Sequence, residues 1–149
     1  MIFGATPKVV SLIKPVSVAT NATQTGSIDT RGFKHARIVV HLDSQSSTTS
    51  APAVLKLSEG DTTSSYADIV AFTGGTETST SVGFVIPTAG TAPTFVVLDV
   101  DLKKRKRYLK ITFTSGDGAQ LASATAHLGR PETHPDAAAE VGAAAWVVG

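Results

Sequence analysis

Between residues 35 and 42 the chain reads His-Ala-Arg-Ile-Val-Val-His-Leu, and Ala36, Ile38, Val40 and Leu42 fall at every second position. His35, Arg37 and His41 take the opposite parity. A period of two is the signature of a β-strand with one buried face. After a Ser/Thr-rich loop at 43–50 the pattern returns at 53–58, with Ala53, Leu55 and Leu57 on one side and Lys56 and Ser58 on the other. The two segments are expected to lie side by side, with further strands added to them.

Those further strands follow along the chain. Residues 9–13 and 16–19 are β-rich but interrupted by Pro15, which has no N–H for a ladder, so an edge or bent strand is expected. Residues 21–31 read as a polar turn, and Glu59-Gly60-Asp61 as another. Residues 66–72 are expected to form one helical turn or a short irregular segment, too short for an independent helix. A loop over 74–81 precedes a short strand at 82–86 closed by Pro87. Val96, Leu98, Val100 and Leu102 then share one face and Asp99 and Asp101 the other. Leu109, Ile111 and Phe113 repeat the alternation, and Ser115-Gly116-Asp117-Gly118 reads as a hairpin turn. In the last strand, 121–128, Ala122, Ala124 and Ala126 alternate with Ser123, Thr125 and His127, small enough to admit another sheet or subunit closely.

Seven to nine short strands with regular turns and almost no helix predict an all-β fold, an antiparallel, jelly-roll-like β-sandwich. Residues 1–131 are assigned to it, with 1–8 as an N-terminal arm. Residues 132–149 form a C-terminal arm.

With 149 residues the chain is one domain able to bury a core unaided. Hydrophobic residues make up 42% and charged ones 17%, the balance of a globular protein. The net charge of +1 exerts no global pull on nucleic acid or anionic membrane. Cysteine is absent, so no disulfide or thiolate site exists, in keeping with a reducing compartment. No secretory signal and no apolar run of membrane-spanning length is visible. Asn21-Ala22-Thr23 matches a glycosylation sequon by chance in that setting.

Catalytic patterns are weak. His35, His41, His127 and His134 show no metal-ligand spacing. There is no Gly-x-Ser-x-Gly elbow. Asp99 and Asp101 are explained by alternation on an exposed strand face better than as a glycosidase pair. The expectation is a protein without enzymatic activity, cofactor or metal. Two stretches point to adhesion instead. Lys103-Lys104-Arg105-Lys106-Arg107 could bind nucleic acid, but no aromatic platform accompanies it, and a solvated hairpin turn or a foot that docks on an acidic partner fits better. The single tryptophan stands in Trp146-Val147-Val148 at the end of a Gly/Ala-rich arm, where it either packs on its own domain or anchors in a neighbouring molecule.

Four ordered pieces carry a resemblance. Ser27-Ile28-Asp29-Thr30-Arg31-Gly32-Phe33 is similar to the Asp-Thr-x-Gly-Phe opening of small virion proteins of tailed bacteriophages. Leu55-Lys56-Leu57-Ser58-Glu59-Gly60-Asp61 matches a Leu-x-Glu-Ser-Asp-type turn, Lys106-Arg107-Tyr108-Leu109-Lys110 a basic Arg-Tyr strand, and Leu128-Gly129-Arg130-Pro131 a closing Leu-Gly-x-Pro. The chain thus resembles capsid cement (decoration) proteins over most of its length. Its long loop at 74–93 and its apolar C-terminal arm depart from that pattern. The resemblance implies a β-sandwich made in the host bacterial cytoplasm and located on the virion surface. It also implies that the major capsid protein is the partner and a homotrimer the working form, with no small-molecule substrate and no membrane. A glycan-binding adhesive sandwich is the alternative.

Overall fold

The structure, a computed structural model, describes residues 8–45, 51–88, 93–129 and 145–148. Its strands are β1 (Lys8–Val18), β2 (Thr23–Asp29), β3 (His35–Gln45), β4 (Val54–Gly60), β5 (Ala67–Gly75), β6 (Phe84–Val85), β7 (Thr94–Asp101), β8 (Tyr108–Thr114), β9 (Gln120–Gly129) and β10 (Ala145–Val148). A 3-10 turn, Leu102–Lys104, separates β7 from β8.

The strands form two five-stranded sheets, ordered β1-β9-β3-β7-β10 and β2-β8-β4-β5-β6. With β6 and β10 set aside, the pairing is nested. The first strand pairs with the last, the second with the next to last, β3 with β7 and β4 with β5. This is the order of a jelly roll, in which one long double strand is wrapped into a sandwich. The two remaining strands add parallel edges, β6 on β5 and β10 on β7.

The alternation seen in the sequence builds the core between the sheets. Ala36, Ile38, Val40 and Leu42 of β3 face Leu55, Leu57, Leu109, Ile111 and Phe113 of the other sheet, all within the buried cluster. Each Val, Leu, Ile or Phe side chain so buried contributes about 1.5–3 kcal/mol by area. Pro15 does bend an edge strand: β1 is outermost in its sheet, and its register on β9 shifts on either side of Ile13.

Several expectations are corrected. Segments 35–42 and 53–58 are not neighbours, because β3 and β4 belong to opposite sheets. The turn at 115–118 is likewise no hairpin, since β8 and β9 lie in different sheets. It arches across the sandwich and clasps the β1–β2 arch. Asn21 N–H donates to the Gly116 carbonyl at 3.2 Å, Ser115 N–H to the Ala22 carbonyl at 3.1 Å, and the Ser115 hydroxyl to the Ala19 carbonyl. Asn21 takes the left-handed conformation there (φ 58°), which asparagine tolerates better than most residues. Residues 21–31 are mostly strand β2, and 66–72 lie mostly in β5. The alanines of β9 face their own core, and β9 is flanked on both sides by β1 and β3, so that strand offers no alanine face or free edge to a second subunit.

Candidate interaction surface

One end of the sandwich collects the turns between β2 and β3, β4 and β5, and β7 and β8, together with the end of β9. The β7–β8 connection begins at Asp101, whose Oδ1 accepts from Lys103 N–H at 3.1 Å and so caps the 3-10 turn. Leu102 N–H donates to the Lys34 carbonyl at 3.0 Å, tying this turn to the β2–β3 turn.

Arg107 then bridges the sheets' connections. Its Nε and Nη2 donate to the two carboxylate oxygens of Asp29 at 3.0 and 2.6 Å, and its guanidinium lies 4.9 Å from the Tyr108 ring centroid. Its carbonyl accepts from both the N–H and the hydroxyl of Thr30, at 2.9 and 2.7 Å. Hydrogen bonds from Arg107, and then from Arg31 N–H, pull the Asp29 carboxyl down to about 2. Lys106 donates its N–H to Glu59 at 2.9 Å and places Nζ 2.8 Å from Asp61, while Arg105 Nη1 lies 3.5 Å from Glu59. The carboxylates of Asp61 and Asp29 raise Lys106 and Arg107 above their usual values.

The basic run is therefore two things. Arg105, Lys106 and Arg107 are neutralised within the chain. Lys103 and Lys104 are exposed, and their ammonium groups make no ion pair among the described residues. Arg31 and Lys34, also exposed, extend this cationic rim from the neighbouring turn. In the sequence Lys34 did not stand out, and Arg31 did so only as the variable position of the Asp-Thr-x-Gly-Phe piece. Only the Leu102–Lys34 contact shows that their turn adjoins the run.

The outer face of the β1-β9-β3-β7-β10 sheet carries the other polar residues. Asp99 is not on an exposed face, as alternation suggested: it is fully buried. Arg37, its register partner, donates Nε and Nη2 to the two carboxylate oxygens at 2.8 Å each, and His35 Nε2 lies 3.3 Å from Oδ1. The Asp99 hydrogen bond raises Arg37 above its usual value. Asp99 is sealed beneath Arg37 and Asp101 is engaged as a cap, an arrangement that leaves no pair of open carboxylates. Further along, His41 stacks on Phe95 with ring centroids 4.5 Å apart. A shallow cavity of about 180 Å³ opens beside His41, lined by Pro15, Asp43, Leu121 and Ser123 among others. His127 stands opposite Arg37 in register, and His134 lies outside the described residues. Among the described residues no group of three His, Asp or Glu could hold a metal ion.

The C-terminal residues form β10, parallel to β7, with Ala145, Trp146, Val147 and Val148 opposite Val96, Val97, Leu98 and Asp99. Val147 packs, partly buried, against the core. The side chains of Trp146 and Val148 lie outside the described set.

No protein-family model matches the chain, and neither does any curated protein. What the fold defines is a class, an all-β jelly-roll sandwich, here with a cationic rim at one end.

Proposed function

We propose that this chain is a virion structural protein of a tailed bacteriophage, a capsid cement subunit that clamps neighbouring major capsid proteins and turns over no substrate. One observation carries the reading. The four separated pieces on which the resemblance rests close at the same end of the sandwich. Asp29 and Thr30 meet Arg107, Glu59 and Asp61 meet Arg105 and Lys106, and Gly129 ends β9 opposite His35. Three of these pieces, far apart in sequence, join through hydrogen bonds and ion pairs beside the end of β9, and the cluster displays Lys103, Lys104, Arg31 and Lys34. A rim of this sign suits an acidic capsomer surface. Three copies around a local threefold axis add avidity, because each further attachment is intramolecular.

The test uses heads assembled from the major capsid protein alone, mixed with the chain and pelleted. Co-pelleting and greater resistance of the heads to heat are expected. A Lys103→Glu/Lys104→Glu variant should lose about tenfold or more in retention. A chain that stays in the supernatant sinks the proposal. The His41–Phe95 stack beside a mostly apolar cavity that also presents Asp43 and Ser123 favours a second reading, glycan binding, which a glycan array would reveal by saturable hits.

A further inference from the structure

β10 differs from the other strands of its sheet in how it is held. β7 is buried on both faces, with Val96, Val97, Leu98 and Asp99 all at 3% exposure or less, and it is an interior strand only because β10 lies along its outer edge. Left bare, its edge would offer unpaired backbone to any passing strand. Four residues of β10 cover it, running parallel, so no tight turn joins the two. β10 also touches β5 and β6 of the opposite sheet and closes that side of the sandwich.

The connection to β10 is long. Gly129 is level with His35 and hence with Asp101, whereas Ala145 sits opposite Val96. The return spans about 17 Å along the strands and about 14 Å across three strand spacings, at least about 22 Å in all. Residues 130–144 could reach about 50 Å if extended. The surplus is enough to place β10 on a different molecule.

We propose that β10 is an exchangeable strand, and that the β7 edge accepts β10 from a second copy of this chain through the same contacts as its own. Every contact β10 makes is available on any copy, so the two states differ only in the linker and in local concentration. A tethered strand sees its own β7 at roughly millimolar effective concentration, which favours the closed chain in dilute solution. Exchange takes over where copies are held together. That such crowding occurs on a capsid rests on the function proposed above, but the exchange itself is a property of the purified chain.

Deleting residues 132–143 leaves a connection reaching about 15 Å, too short for a chain to cover its own β7. Light scattering should then report at least twice the mass of the full-length chain at equal concentration, with an unchanged far-UV spectrum. Adding Val147→Asp should return the mass to that of a monomer. A folded shortened chain that is monomeric, or a larger mass that Val147→Asp does not lower, overturns the proposal. If the shortened chain is unfolded, full-length protein decides. Tagged and untagged copies mixed and captured at about millimolar concentration, where a second copy competes with the tether, should co-purify, and Val147→Asp copies should not. Failure of the wild-type copies to co-purify overturns it. None of these outcomes depends on whether the chain binds heads.

Discussion

Two arginine–aspartate pairs in this molecule have the same chemistry and opposite surroundings. Arg37 and Arg107 each reach both oxygens of an aspartate, Asp99 and Asp29 respectively. Asp99 is fully buried under an arginine whose side chain is 32% exposed, whereas both partners of the other pair are more than 40% exposed. The buried pair sits at directly opposed positions of β3 and β7, so a slip of one residue would turn a carboxylate into the core. It therefore defends the register of the two strands. The exposed pair fastens a turn whose strands are already held by the β2–β8 ladder. Geometry alone does not rank two ion pairs; what water can reach does.

The difference is sharpest if one partner is removed. Arg37→Ala strands the Asp99 carboxylate away from water, and a loss of about 3 kcal/mol in urea unfolding is expected, the lower end of the range because Arg37 is itself partly exposed. A loss below about 1 kcal/mol would mean that Asp99 does not depend on Arg37 to stay buried, and the contrast would collapse. Asp99→Asn is expected to cost less, about 1–2 kcal/mol, since the amide keeps some hydrogen bonding and Arg37 can turn toward solvent. Equal losses in the two variants would show that the anion is not the strained member of the pair.

Neither pair was legible as a pair. Alternation tells which face of β7 carries Asp99 but not whether that face is covered, and Arg37 lies 62 positions away. The basic run was visible as charge, yet its partners Asp61, Glu59 and Asp29 stand 45 to 78 residues upstream, with no local signal to name them. The strands show the same division. β3, β7, β8 and β9 announce themselves because one regular face is buried. β2 has one buried apolar residue, Ile28, and owes its place to β8 and to a close crossing of β1. A Cβ at Gly26 would stand 1.9 Å from the Leu12 carbonyl oxygen. β5 hides because its inward residues, Ile69 and Phe72, are three apart, a spacing that mimics a helical turn. A register shift between the pairs at Lys56 and Ser58 is what brings both inside.

The smallest effect belongs to the exposed pair, and its pH dependence is what identifies it. Arg107 holds the Asp29 carboxyl at about 2, below its ordinary 3.8. A depressed carboxyl stabilises the fold in full above its unfolded value, and the contribution fades as pH falls from about 4 toward about 2. In Arg107→Ala the carboxyl titrates closer to its ordinary value. The stability gap between wild type and variant should thus be present at neutral pH, narrow between pH 4 and 2, and close below that. Added salt should shrink it as well, because the pair stands in solvent, while the Arg37→Ala loss should barely respond. Thermal melts of both variants across that pH range, at low and high salt, make the measurement. A gap that persists below about pH 2 would assign the effect of Arg107 to its contact with Tyr108 and the packing of its stem rather than to Asp29.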